Sequence, residues 1–269
     1  MNNQFFSPQR FWSYFKYDLI QLWRNHMKAA VGIGLAGLIA YIVTVTFNLI
    51  FDGTWSGPGV TARFSIFFIA FTVLELYQTR TYGYLTDKKQ GSAWLMMPAS
   101  TFEKWLSMIL ITIIILPAIF LVVSLLVDGF LSLVDPTVGS SMLASLDHGL
   151  QELGGGLVEI NNEYATTWSM DAFIPLLYVS MCLNFLFFLL CGLIFKKNKI
   201  VWAFVIIFVI STVLSILSIS FDLNVDVADD FATAKQQIRH FLCSSTAILA
   251  LVAAGLAGGI FYRLKTLKH

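Results

Sequence analysis

Three glycines near the start of the chain have the spacing of a nucleotide-binding turn. Gly32, Gly34 and Gly37 form a G-x-G-x-x-G sequence, and Asp52 follows at about the distance at which a carboxylate would bind a ribose. That chemistry requires a strand before the glycines and a βαβ unit around them. Here the glycines lie within a long apolar run, so we expect them to allow close helix packing instead.

The sequence also lacks a phosphate-binding loop for ATP hydrolysis. It contains no G-x-x-x-x-G-K-[ST] segment, and the most similar stretch, from Gly259 to Thr266, has no second glycine. Successive backbone N–H groups could not wrap a phosphate there. Ser/His/Asp and paired-carboxylate arrangements are not identifiable either. We therefore predict that the chain is not an enzyme and binds no cofactor.

Two polar residues interrupt the apolar runs. A carboxylate at the centre of a membrane helix costs about 2.5–3.5 kcal/mol, so Glu75 needs a role there. A structural tie, a gating contact and a proton site are all open for it. We interpret Asn184 as a hydrogen-bonding contact between helices. The four histidines lack metal-ligand spacing, so we predict no metal site, and nothing in the sequence supports nucleic-acid binding.

Six apolar runs must position these residues. With 57% hydrophobic and 12% charged residues and a mean hydropathy of +0.76, the chain is far more apolar than a soluble domain. A helix of about 20 residues matches a hydrocarbon core of roughly 30 Å. We predict an all-α, polytopic membrane protein with one transmembrane domain over residues 1–269. Its six transmembrane helices are predicted at about 29–51, 62–79, 105–127, 173–195, 200–221 and 241–262.

The charges between these runs alternate in sign. All lysines and arginines except Arg63, Lys235 and Arg239 lie in the N-terminal segment, the second and fourth connections, or the C-terminal tail. By the positive-inside rule, we expect both termini in the cytoplasm and the acidic loops outside. The long acidic loop at 128–171 is interpreted as a small lid or a partner-contact surface.

The segment before the first run has a helical pattern of its own. Between Arg10 and Arg24, aromatic and aliphatic residues recur every three or four positions, and polar residues fall largely between them. This pattern predicts an amphipathic helix, within residues 1–28, that lies in the cytoplasmic membrane interface.

The cytoplasmic connection over residues 81–104, which we call the elbow, carries the most informative pattern. Pro98 must end any short helix before it. Ser100 and Glu103 then form an S-x-x-E capping box at the start of the third run. We expect a rigid bend with exposed apolar residues, and such surface usually meets a partner or the membrane. The expected exposed residues are Trp94, Leu95, Met96 and Met97.

The elbow resembles a segment of a known family. Met97-Pro98-Ala99-Ser100 followed by Glu103-Lys104 is similar to the L-P-[AVI]-S-x-x-[EK]-K segment in permease subunits of bacterial type-2 ATP-binding-cassette exporters. The resemblance implies an inner-membrane permease that pairs with a second, identical or different, permease subunit. It also implies a cytoplasmic ATPase that binds ATP and Mg²⁺, with the elbow as the coupling helix docking on it. The implied coupling residues are Trp94, Leu95, Met96, Met97, Pro98, Ala99, Ser100, Glu103 and Lys104.

Two other functions fit the same sequence. An ion- or proton-coupled carrier would use Glu75, although Pro117 and Pro175 do not occupy the matching positions expected of inverted repeats. A non-transporting scaffold would bind a partner through its acidic outer loop. The aromatic-rich interior does not identify a substrate, since lipids, peptides and drugs would all suit it.

Overall fold

A computed structural model describes residues 6–86, 91, 94, 96–145, 170–220 and 231–266. The predicted all-α class is confirmed, and the described residues contain no strand. The α-helices are α1 (Pro8–Gly34), α2 (Ala36–Phe51), α3 (Val60–Thr81), α4 (Thr101–Leu110), α5 (Leu116–Val134), α6 (Met170–Ile194), α7 (Lys199–Ser220) and α8 (Phe231–Thr266).

In the part of the chain that the structure describes, five helical segments are long and apolar enough to cross a membrane. At most 39% of the most apolar stretch of each is buried, so most of their apolar surface lies outside the protein core. Exposed apolar surface of that extent marks contact with lipid. The chain is therefore a multi-pass membrane protein. The segments are Pro8–Phe51, Val60–Thr86, Thr101–Val134, Ile174–Ile194 and Leu242–Thr266.

Two helices extend beyond the predicted borders of their transmembrane runs. Helix α1 continues past residue 28 to Gly34, and the chain breaks only at Leu35 before α2 begins. Helix α8 spans Phe231–Thr266, so the sixth predicted run at 241–262 is part of a longer helix. The interfacial position of residues 1–28 stays a prediction.

A single wider turn joins α4 to α5. The π-helical segment Ile111–Ile115 comes just before Pro117, which has no N–H to give to a helical carbonyl. The N–H of Leu116 bonds to the carbonyl of Ile111. This wider turn absorbs the missing bond and keeps Thr101–Val134 one continuous helical segment.

The chain divides into two compact units. Unit 1 contains Met1–Phe15, Leu76–Ile109 and Ser169–His269, and unit 2 contains Lys16–Glu75 and Leu110–Trp168.

In unit 1, α6 packs against both α7 and α8. A Cβ on Gly192 of α6 would lie 2.7 Å from the carbonyl oxygen of Thr79, so only glycine fits this contact. Gly259 of α8 lies against Leu190, and Arg263 donates to the carbonyl of Leu193 at 3.3 Å. The two helices therefore run parallel, with their C-terminal turns side by side.

In unit 2, α2 packs against α5. Gly34, at the break after α1, meets Val123 at a distance that leaves no room for a side chain. Phe67 and Phe71 of α3 place their ring centroids 5.3 and 5.6 Å from that of Phe120 in α5. The expected close packing is therefore confirmed for Gly34. A Cβ on Gly37 would make only an ordinary contact with Val127 at 3.8 Å, and one on Gly32 would meet no atom of the described residues within 4 Å.

Candidate functional site

The predicted capping box is present at the start of α4. The N–H of Glu103 donates to Ser100 Oγ at 3.2 Å, and the N–H of Ser100 donates to Glu103 Oε2 at 2.8 Å. Each side chain thus satisfies a backbone N–H that has no helical carbonyl to bond. The acidic charge in the first turn also complements the helix dipole. The spacing in the sequence was sufficient to predict this local geometry.

Glu103 also binds the beginning of α1. Its carboxylate is fully buried and accepts bonds from Arg10 Nε and Nη2, each at 2.8 Å, and from the N–H of Ser7 at 2.9 Å. The two-nitrogen contact with Arg10 is the strong, geometrically specific form of an ion pair. A single carboxylate therefore fixes the start of α4 and attaches α1 to it.

Trp94 differs from the sequence prediction. It is 3% exposed, so the expectation that it lies open on the elbow is wrong. Its indole N–H donates to the hydroxyl of Tyr14 at 2.9 Å. The ammonium of Lys104 donates to the Trp94 carbonyl at 2.9 Å and lies 4.5 Å from the ring centroid. Tyr14 and Lys104 thus enclose the indole, a hydrogen-bonded and cation–π environment.

Among the described residues of the elbow, the exposed ones lie at its tip, which we define as Met96–Ala99. Met96 is 84% exposed, Pro98 is exposed, and Met97 and Ala99 are partly buried. The N–H of Met97 bonds to the Trp94 carbonyl at 3.3 Å, and that of Ala99 bonds to the Met97 carbonyl at 2.8 Å. These short-range bonds form a tight turn before α4. Leu95, also predicted to be exposed, lies outside the described residues.

Several helix ends of unit 1 meet around the elbow. Trp105 donates to the carbonyl of Ala257 at 2.9 Å, which brings the start of α4 to the C-terminal half of α8. Lys199, at the start of α7, donates to Thr86 Oγ1 at 2.9 Å and to the carbonyl of Gly83. We call this the elbow end of unit 1. The segments that the charge pattern assigned to one side of the membrane, where described in unit 1, therefore lie together.

Sequence reasoning missed the long-range partners of the elbow. Ser7, Arg10, Tyr14 and Lys199 carry no local motif, and the first three lie at least 80 residues from the groups they bind. The pattern of aromatic and basic residues in α1 was the available signal in the sequence, but it did not indicate which residues of the elbow these side chains contact.

A second polar cluster lies in unit 2, at what we call its loop end, residues 52–63 and 128–142. Arg63 forms a buried ion pair with Asp128 and donates to the carbonyls of Val138 at 3.0 Å and Ser140 at 2.6 Å. The second oxygen of Asp128 accepts the N–H of Met142 at 2.5 Å. The pair therefore fastens the turn after α5 to the ends of α3 and α5. Arg63 had stood out in the sequence as a basic residue on the acidic side.

Asp135 forms the other half of this cluster. It accepts hydrogen bonds from Tyr41 at 2.6 Å, from Thr137 Oγ1 at 2.7 Å and backbone N–H at 2.9 Å, and from Trp55 at 3.0 Å. Above all, the bond from Tyr41 lowers the pKa of Asp135 to about 2, since each donor favours the charged carboxylate. Two of the acidic residues expected to face outward are thus bonded within the protein.

The two intramembrane polar residues are located as follows. Glu75 is buried in α3, and Asn184 is partly buried in α6. Within the described residues, no three His, Cys, Asp or Glu side chains are grouped so that they could hold a metal ion.

Comparison of the chain with known protein families, curated proteins and solved structures finds no match.

Proposed function

We propose that the chain is the membrane-embedded permease subunit of an ATP-driven exporter. In this proposal, the tip Met96–Ala99 docks on a separate cytoplasmic ATPase, and a second permease subunit completes the transport pathway. The observation that carries the proposal is the exposed apolar side chain of Met96 next to Trp94 and Glu103, which are buried and hydrogen-bonded. The resemblance of the elbow segment to coupling helices supports the same assignment.

The part of the elbow that follows the tip, from Ser100 to Lys104, is bonded in a way that suits the transmission of force. Glu103 binds the first turn of α4, the preceding Ser100 and the start of α1 at once. A push on the tip would therefore displace α1 and α4 together rather than bend the connection. Closure of the ATPases on ATP would supply the push, and this chain would convert it into helix movement.

The helix directions support six transmembrane helices. Because α6 and α8 run parallel and α7 lies between them in the chain, α7 must return across the membrane. Its 22 residues give a length of about 33 Å, which is enough to do so. In this proposal α7 is the sixth crossing segment beside the five long apolar ones, both termini are on the same side of the membrane, and the positive-inside rule assigns that side to the bacterial cytoplasm.

Co-purification tests the proposal. We expect gentle extraction from the native membrane to bring down a soluble protein that hydrolyses ATP. Met96→Asp should abolish this association, because the contact would bury a charge. Leu143→Asp is the matched control, since Leu143 is also exposed but lies in the turn after α5. An active preparation without any ATPase would overturn the proposal, as would an unchanged association in Met96→Asp.

A carrier that uses Glu75 is the second candidate, favoured by the burial of this carboxyl. Transport by the purified chain alone, driven by an ion or proton gradient and lost in Glu75→Gln, would establish it.

A further inference from the structure

Four basic residues lie around the adjoining ends of α6 and α8, and we call them the basic patch: Lys196, Lys197, Arg263 and Lys265. The first two belong to the short connection after α6, and the last two to the final turn of α8. The bond from Arg263 to the Leu193 carbonyl brings the two helix ends together. The patch is therefore assembled from two parts of the chain that are about 70 residues apart.

The three lysines after α6 differ in their environment, since Lys199 is bonded inside unit 1 whereas Lys196 and Lys197 remain at the surface. Lys199 turns inward to bond Thr86 and the Gly83 carbonyl. Asn198 makes this possible by adopting a left-handed backbone conformation, with φ of 51°, between the two helices. Lys196 and Lys197 are exposed. The connection thus has one structural lysine and two that make no hydrogen bond or ion pair with a described residue.

The charge of the patch is not balanced by the described part of unit 1. No carboxylate of the described residues lies within 4.0 Å of any of its four side chains. Glu103 is already paired with Arg10. A cation at a helix C-terminus interacts favourably with the helix dipole. Arg263 makes this interaction with α6, because it donates to the carbonyl of Leu193 in the last turn. The exposed lysines lack such a contact, so their charge is available to an external anion.

Aromatic side chains next to the patch indicate where that anion lies. Trp202 is 49% exposed and stacks on Phe195, with centroids 5.6 Å apart. Tyr262, beside Arg263, is 69% exposed. Exposed Trp and Tyr at the ends of transmembrane helices are typical of the level of lipid headgroups.

From this arrangement we infer that the basic patch binds the phosphate of an anionic membrane lipid. The aromatic side chains would contact the region just below the headgroup, while Lys196, Lys197 and Lys265 would meet the negative charge. This inference does not depend on the transport function proposed above.

Lipid titration followed by native mass spectrometry tests the inference. The detergent-purified full chain is titrated with dioleoyl phosphatidylglycerol, with dioleoyl phosphatidylcholine, and with inorganic phosphate. We expect the anionic lipid to bind more tightly than the zwitterionic one. Each basic residue near a membrane surface contributes roughly a fivefold preference. The triple variant Lys196→Gln/Lys197→Gln/Lys265→Gln should therefore lose a preference of tenfold or more.

A charge-matched control separates a site from general attraction. Arg24→Gln/Lys28→Gln/Arg80→Gln removes three exposed positive charges from other helices and should keep most of the lipid preference. An equal loss in both variants would overturn the inference, as would a wild type without preference. Displacement of the lipid by equimolar inorganic phosphate would assign the patch to free phosphate and also contradict it. Unchanged helix content by circular dichroism establishes that the variants are folded.

Discussion

The elbow end of unit 1 and the loop end of unit 2 are both held by buried carboxylates, but to different effect. At the elbow, Glu103 fixes the base of a turn and leaves Met96 open to solvent. At the loop end, Asp128 and Asp135 bond the turn itself and close it onto the ends of its helices. The same chemistry thus holds a turn with an exposed side chain in one place and fastens a loop in the other.

The largest expected effect is at the loop end. Arg63→Ala would leave Asp128 buried without its cation and release two carbonyls, so we expect a loss of about 3–5 kcal/mol of unfolding free energy. Denaturation in detergent measures it. The double variant Arg63→Met/Asp128→Leu, which buries no charge, should be clearly more stable than Arg63→Ala. If the single and double variants are equally stable, the pair is not the fastening contact.

At the elbow, Glu103→Ala should be less costly, because Arg10 is 38% exposed and can be rehydrated. Loss of the charged hydrogen bonds predicts about 2–3 kcal/mol. Arg10→Lys should cost less than Glu103→Ala, because the ammonium keeps the positive charge. It should still cost some stability, since an ammonium cannot reproduce the two-nitrogen contact. The same denaturation experiment applies. If Glu103→Ala leaves the free energy of unfolding unchanged, the contacts of Glu103 do not hold the elbow in place.

Loss of the cap alone should have a smaller effect. Ser100→Ala removes the bond to the N–H of Glu103 but keeps the ion pair with Arg10, so we expect about 1 kcal/mol. Ser13→Ala is a suitable control, since Ser13 is exposed and bonds only within its own helix. Equal stability of the two variants would contradict a stabilising capping box.

The smallest effect at neutral pH should come from Tyr41→Phe. With a folded pKa of about 2, below its ordinary value, Asp135 stabilises the fold above pH 4, and this contribution is lost as pH falls through 2. Without the Tyr41 bond, the pKa of Asp135 should rise, so the loss should begin at a higher pH. Unfolding from pH 5 to pH 2, with Tyr262→Phe as the control, should show this difference.

The two ends also show what a sequence can predict. The bonds between Ser100 and Glu103 span three residues, and spacing alone predicted them. The bond from Arg10 to Glu103 spans 93 residues and that from Arg63 to Asp128 spans 65, so no local pattern could pair them. The error at Trp94 has the same origin, because Tyr14, 80 residues away, covers it. Helix class and apolar runs follow from composition and periodicity, whereas burial at a connection depends on tertiary partners.

Site-specific photo-crosslinking from residue 96 tests the central claim most directly. A crosslinking amino acid is placed at Met96 or, as a control, at the exposed Trp55 of the loop end, and irradiated in native membranes. We predict that an ATP-hydrolysing protein is captured from position 96 and not from position 55. Capture of such a protein from neither position, or equally from both, would contradict the assignment of the elbow as the contact with an ATPase.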